Sequence, residues 1–380
     1  MYHTTKKLLL VFSVLFILAC KKESTKAVEK VTNSKNSIQY ATGFEIYKYD
    51  GFSVLKIKNP WPNANKTYTY ILQKNNTKIP DSLKQNTIIP IPIQTVVATS
   101  TTHIASLTAL GVEKSLVGFP NLDYISSPKV RELIHSGKVK ELGKNQSLNI
   151  EATIELNPSI VIGYGLDNNN PSIDNLTKSG IKVVLNGDWN EQSPLGKAEW
   201  IKFFGALYDK EEVANTYFES ITSEYKSTLK VVQSINTKPT VLVGSLFEQT
   251  WHVPQGESWG AQFIKDAGGD YFWKNEKGTG GLPLSFEKVL ETAQNADFWI
   301  GPGQFATLSE MEKANPHYKQ FTAFKNKKIY SYSLKKGEKG GLTYFEEAPN
   351  RPDLVLKDLV KIFHPELLTD YELYFFQKLN

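Results

Sequence analysis

The sequence predicts an α/β fold of two lobes with mainly parallel sheets, joined by one long helix and preceded by a β-rich accessory segment. Three observations carry this. From Thr95 onward short apolar runs alternate with amphipathic helical stretches, a single long helical pattern occupies Glu211 to Ile235, and after Lys238-Pro239 the alternation begins again. Strand, helix, strand with short connections argues a parallel sheet with helices packed on it.

The accessory segment spans 39–94. Phe44 to Tyr49, Phe52 to Lys58 and Thr67 to Leu72 alternate in the manner of strands and are broken by Asp50-Gly51 and Pro60-Trp61-Pro62. Asp50-Gly51 is a hairpin turn by composition. Ile88 to Pro92 holds two prolines, which restricts it to a sheet edge or an extended connector. The N-terminal lobe, 95–210, has strands predicted at Val96–Thr99, Leu116–Phe119, Ile160–Gly163 and Lys182–Leu185. Its helices are predicted at Thr102–Leu110, Pro128–Ser136, Ile150–Leu156 and Ser172–Ser179, with Gly111 and Gly180 placed as C-terminal caps.

The inter-lobe helix, 211–235, repeats apolar residues at Ala214, Tyr217, Phe218, Ile221, Tyr225, Leu229 and Val232. At 1.5 Å per residue it would run roughly 37 Å, longer than one small lobe needs. The C-terminal lobe, 236–380, has strands predicted at Val241–Gly244, Phe298–Gly301 and Ile329–Tyr332. Helices are predicted at Trp259–Asp266, Phe286–Thr292, Leu354–Phe363 and Leu367–Lys378.

The N-terminus carries an export signal. Lys6 and Lys7 precede the apolar run Leu8 to Ala19, which is short for a membrane span but suits a secretory signal over 1–19. Ile17-Leu18-Ala19-Cys20 resembles a bacterial lipobox, so Cys20 is the expected site of lipid attachment, and several acyl chains on one residue anchor stably. Residues 20–38 are rich in Lys, Ser, Glu and Asn and read as a flexible tether. Cys20 is the only cysteine, which leaves no disulfide in the body. Removing Lys6 and Lys7 lowers the formal charge from +5 to +3, and no basic stripe with interleaved aromatics points to nucleic acid. The expected location is the cell envelope, lipid-anchored and facing the periplasm or the exterior.

Several stretches, in order, resemble a known family. Thr102 to Gly111, Leu116-Val117-Gly118 with Asp123-Tyr124, and Asn149-Ile150-Glu151 before Leu156-Asn157-Pro158 are similar to the first lobe of periplasmic siderophore- and vitamin B12-binding proteins of ABC importers. Gly268-Gly269, Leu284-Ser285-Phe286-Glu287, Phe324 to Tyr330 and Arg351-Pro352-Asp353 through Leu368 resemble the second lobe. The resemblance covers roughly 95–370. It implies a monomer whose two lobes, bridged by one rigid helix, hold a metal chelate as transported ligand (a ferric siderophore, a corrinoid or haem), with no catalytic activity and no cofactor. It also implies a permease and its ATPase as partners, docked through one exposed acid per lobe. Those acids fall on Glu151 and on Glu346 within Tyr344-Phe345-Glu346, although Glu151 also suits a helix start and Glu346 an ordinary loop charge.

In parallel α/β lobes ligands sit beyond the carboxyl ends of strands. That places His103, Phe119, Tyr124 and Tyr164 at the first-lobe rim, and Trp251, His252, Phe305 and Tyr344 at the second. Aromatic walls suit a large, flat or apolar-edged ligand. The histidines form no close pair of the kind that holds a bare metal ion. Gly256-Glu257-Ser258-Trp259-Gly260 fits a nucleophile-elbow string but lacks the preceding buried strand, so a helix cap at Ser258 is the simpler expectation. A lipoprotein hydrolase using Ser258 and a surface-structural lipoprotein are the rival classes. The chain has only two arginines, Arg131 and Arg351. An anionic chelate held by an arginine cluster is therefore disfavoured against a neutral one packed on rings.

Overall fold

The Asp50–Gly51 turn sets the first strand pair of the computed structural model, which describes residues 34–380 apart from 63, 145–146 and 166–169. The expected export signal, Cys20 and residues 21–33 of the expected tether lie outside the described residues. The last residues of that tether are fixed rather than flexible: Asn36 bridges to Tyr47 and Ile38 is buried in the core. Strands β1 (Phe44–Tyr49) and β2 (Phe52–Ile57) pair antiparallel, β3 (Tyr68–Lys74) follows antiparallel, and β4 (Thr87–Ile91) closes the sheet as a parallel edge strand. Pro90 lies on that edge, where a missing N–H costs least. One face of this sheet, including Phe44, Ile46, Leu55, Ile57 and Leu72, belongs to the same continuous core as the first lobe. The accessory sheet is thus welded to that lobe, with Phe44 only 4.4 Å from the Trp200 ring centre.

The first lobe is a parallel sheet in the order β11-β10-β5-β6-β7, from β5 (Val96–Ala98), β6 (Leu116–Phe119), β7 (Lys140–Glu141), β10 (Ile160–Gly163) and β11 (Val183–Leu185). β8 (Gly143–Lys144) and β9 (Ser147–Leu148) make a small separate hairpin. Helices α1 (Thr101–Ala109), α2 (Pro128–His135), α3 (Ile150–Leu156) and α4 (Pro171–Lys178) lie where the periodicity predicts, three of them capped by Ser100, Asn149 and Asn170 side chains. α5 (Pro194–Glu199) and α6 (Ile201–Leu207) were not predicted. Both are buried nearly all round, α6 in the core shared with the accessory sheet and α5 with its Leu195 against the core of the second lobe, so no amphipathic stripe marks them. The carboxylates of Glu191 and Glu199 accept backbone N–H groups from Gln39 to Gly43, which pins the chain's entry to this lobe.

Helix α7 (Glu211–Val232) has 22 residues, about 33 Å. Its buried positions step by four and three: Ala214, Phe218, Ile221, Tyr225 and Thr228. The first three join the core of the first lobe, whereas Tyr225 joins that of the second. One rigid element thereby packs into both lobes.

The second sheet runs β15-β12-β17-β18-β19, from β12 (Thr240–Val243), β15 (Asp270–Tyr271), β17 (Phe298–Ile300), β18 (Ile329–Ser331) and β19 (Gln377–Lys378). All its pairs are parallel except the last. β13 (Leu246–Phe247), β14 (Thr250–Pro254) and β16 (Gly281–Leu284) form an antiparallel sheet beside it. Helices α8 (Trp259–Asp266), α9 (Phe286–Ala293), α10 (Leu308–Ala314), α11 (Thr322–Lys325), α12 (Thr343–Glu347) and α13 (Pro352–Phe363) complete the lobe. The helix expected over Leu367–Lys378 is absent. Asp358 on α13 accepts the N–H groups of Tyr374, Phe375 and Phe376, drawing the tail out so that both phenylalanines bury and β19 can pair. Among the described residues no helix is long and apolar enough to cross a membrane.

Candidate functional site

The carboxyl ends of three first-lobe strands converge on a cleft of about 390 Å³ between the lobes, within the usual range for small-molecule sites. β5 delivers Thr99, Ser100 and Thr101, β6 delivers Phe119, and β10 delivers Tyr164; a helical turn at Leu122–Tyr124 then presents Tyr124. Facing them from the second lobe are Gln304, in the loop after β17, and Gly340, Gly341, Leu342 and Phe345, which follow β18. Thr99 donates its hydroxyl to the Ile162 carbonyl at 3.0 Å, and Ser100 caps α1, so these two wall residues are held by their own lobe. The walls combine hydroxyls, one amide, four rings and glycine backbone. No Lys, Arg, His, Asp or Glu lines the cleft among the described residues. Nor do those residues bring together three His, Cys, Asp or Glu side chains in a metal-binding group.

Of the residues expected at the cleft, Phe119, Tyr124 and Tyr164 line it. Five other expected cleft residues do not line the cleft. His103 points into the first-lobe core, fully buried, its ring centre 5.7 Å from that of Phe204. Neither nitrogen has a hydrogen-bond partner among the described residues, and burial pushes its pKa down to about 4 against the opposing pull of Asp188. Trp251 is fully buried on β14: it stacks on Trp299 at 5.4 Å and donates its indole N–H to the Val243 carbonyl. His252, next along the strand, points outward opposite Pro283, outside the cleft lining. Phe305 packs edge-on against Tyr318 while its neighbour Gln304 takes the cleft position. Tyr344 stacks on Tyr332 at 4.3 Å, and Phe345, 49% exposed, faces the ligand space instead.

Glu346 is also corrected. It is 1% exposed and accepts the Ser126 N–H of the opposite lobe at 2.6 Å, so it does not occupy the exposed position expected of a docking acid. Glu151 is exposed in the first turn of α3, which leads into β10 beside β5. The same position recurs in the second lobe. Glu287 is exposed in the first turn of α9, behind a Ser285 cap, and α9 leads into β17 beside β12. The parallel between Asn149-Ile150-Glu151 and Ser285-Phe286-Glu287 was available in the sequence as a polar cap two residues before an acid. Ser258 caps α8 by accepting the Ala261 N–H.

Two parallel α/β lobes, one rigid connecting helix and a cleft at the carboxyl ends of both sheets define the class of clamshell binding proteins. The family model for periplasmic binding proteins matches residues 96–334, and the chain belongs to that family. An uncharacterized lipoprotein of Methanocaldococcus jannaschii is 27% identical, over 98% of this chain and 97% of its own. In fold, the chain is similar to a periplasmic heme-binding protein of Pseudomonas aeruginosa (TM-score 0.55, 17% identity, 76% of this chain and 98% of that one). It is likewise similar to the periplasmic vitamin B12-binding protein of Vibrio cholerae (TM-score 0.54, 14% identity, 74% of this chain and 100% of that one).

Proposed function

We propose that this chain is the solute-binding protein of an ABC importer, anchored to a membrane through lipid on Cys20, and that it carries a neutral or weakly charged metal chelate in the inter-lobe cleft. The observation that carries the ligand class is the wall itself: aromatic faces converge on it from both lobes and hydroxyls from the first, with no charged side chain among the described lining residues. Both arginines are engaged elsewhere. Arg131 donates to the Leu122 carbonyl, and Arg351 forks onto Asp353. A ferric hydroxamate or a corrinoid meets such a wall without stranding charge, whereas a tris-catecholate would bury anionic oxygens with nothing to pair them. Haem- and vitamin B12-binding proteins of the same fold support the chelate reading, and the relative named a lipoprotein supports the anchor.

Delivery to the permease runs through Glu151 and Glu287, one exposed acid at the same topological position in each lobe. A carboxylate can take a bidentate contact from a basic permease residue, and two such anchors set the orientation of docking. Native mass spectrometry against ferric hydroxamates, cobalamin, haemin and ferric catecholates tests the ligand. A catecholate binding roughly tenfold tighter, about 1.4 kcal/mol, than every other chelate overturns the neutral-ligand reading. Reversing both acids, Glu151→Lys with Glu287→Lys, should leave chelate affinity unchanged and abolish uptake with the cognate permease. Normal uptake by that double variant refutes the docking assignment.

A further inference from the structure

The segment 335–347 of the second lobe serves two surfaces at once. It folds back on itself through Gly337 N–H to Gly341 O (2.8 Å) and Thr343 N–H to Lys335 O (3.2 Å). One side of it, Gly340 to Leu342 with Phe345, is cleft wall. The other side lies on residues 124–126 of the first lobe. There the Ser126 hydroxyl donates to the Gly341 carbonyl at 3.0 Å and the Ser126 N–H donates to Glu346 at 2.6 Å. The approach is close enough that a Cβ on Gly341 would stand 2.2 Å from the Tyr124 carbonyl oxygen, and one on Gly337 would stand 2.6 Å from Ser126 Cα. Asn350 extends the seam by donating to the Ser106 hydroxyl at 2.8 Å. Tyr124 and Ser126, two residues apart, therefore couple the ligand wall to the contact between lobes.

At the middle of this seam sits a carboxyl group with no cation in ion-pair reach among the described residues. Behind Glu346 is a cavity of about 450 Å³ whose charged and titratable lining is Lys129, Tyr217, Glu347 and Arg351. Arg351 is committed to Asp353. At the outer rim Glu338 faces His135 at 3.2 Å and Arg131 at 3.8 Å. Only backbone N–H groups meet the Glu346 carboxylate, so ionising it at the seam costs desolvation that they offset in part. A protonated carboxyl keeps an oxygen to accept the Ser126 N–H and sheds that cost.

We propose that Glu346 is the bolt of a proton-operated latch between the lobes, a positioning residue that holds the 335–347 segment against the first lobe and so sets one wall of the cleft. Burial raises its pKa to about 7, with the adjacent Glu347 adding to the rise and the backbone N–H groups of Ser126 and Ser127 opposing it. When the lobes part, the carboxyl meets water and returns to the ordinary range near 4.5. The latched state thus binds the proton more tightly than the parted state. Acidification from above pH 7 toward 4.5 tightens the seam, and the gain is lost as pH rises through 7.

The coupling to the ligand rests on the cleft reading above, so the test begins without ligand. Amide hydrogen exchange over residues 122–127 is measured for the full chain, Glu346→Gln and Glu346→Ala from pH 5 to 8. Comparing variants at one pH cancels intrinsic exchange chemistry and the shared His135–Glu338 contribution. The ratio of wild-type to Glu346→Gln opening should rise by well over tenfold, on the order of 50-fold, between pH 5 and pH 8, as a pKa of about 7 latched and 4.5 parted requires. Glu346→Ala, which leaves the Ser126 N–H without its acceptor, should open fastest throughout. A wild-type to Glu346→Gln ratio that does not change with pH overturns the latch. A neutral ferric trihydroxamate then reads the cleft: its dissociation from the wild type, relative to Glu346→Gln, should slow on acidification. If the exchange ratio follows pH while the chelate fails to bind, the latch stands and the proposed ligand class falls. If the chelate binds and its relative dissociation ignores pH, the coupling of latch to cleft is refuted.

Discussion

At the mouth of the cleft Tyr124 of the first lobe is 52% exposed, whereas Trp251, expected at the facing rim of the second, is fully buried. Both follow the end of a sheet strand, and both are large aromatic residues. The difference lies in what comes next. After β6 the first lobe makes a short helical turn at Leu122–Tyr124, and the Tyr124 ring stays at the rim. After β12 the second lobe adds the β13–β14–β16 sheet, which lays Trp251 on Trp299, Phe321 and Tyr318. An aromatic residue near a strand end is a ligand contact only when no later segment returns to cover it.

The comparison breaks first at Trp251. Trp251→Ala should lower stability by about 3–5 kcal/mol, the cost of a large core truncation, read by urea unfolding. A stability loss below about 1 kcal/mol combined with abolished chelate binding would return Trp251 to the cleft and undo the contrast.

His103 gives the next effect. Its pKa of about 4 in the folded chain lies below its ordinary value of 6.5. The unfolded chain therefore takes up a proton that the folded chain refuses, and stability falls as pH drops from 6.5 toward 4. Between pH 7 and pH 5 the wild type should lose about 2 kcal/mol more than His103→Phe, at ~1.4 kcal/mol per pH unit. Equal losses in the two proteins would mean that the histidine is not held neutral in the core.

The smallest effect on stability belongs to Tyr124. Tyr124→Ala should change unfolding free energy by less than about 0.5 kcal/mol, as an exposed substitution does, while weakening chelate binding by roughly 1–2 kcal/mol through lost apolar contact. Titration calorimetry against the chelate that binds best checks this. Unchanged affinity would remove Tyr124 from the site.

Periodicity and punctuation in the sequence by themselves determined the two α/β series, the helix between them and the accessory hairpin. The reason is that a strand's alternation, a helix's four-and-three spacing and the Asp50-Gly51 turn are local properties of the chain. They also placed Phe119, Tyr124 and Tyr164 beside the cleft, because these residues follow from where β6 and β10 end. Tertiary structure decided the rest. Helices α5 and α6 are buried on every side and carry no stripe to read. The tail from Leu367 was drawn out of a helix by Asp358, a partner some ten to twenty residues back whose hold depends on how α13 packs. In the second lobe a shift of one residue separates Phe305 from Gln304 and Tyr344 from Phe345, whereas the exposed acid, Glu287, lies on a different helix from the buried Glu346. Loops after strands have no period, so which of two neighbours faces the cleft is set by contacts with the other lobe, and Glu346 meets Ser126 across 220 positions of sequence.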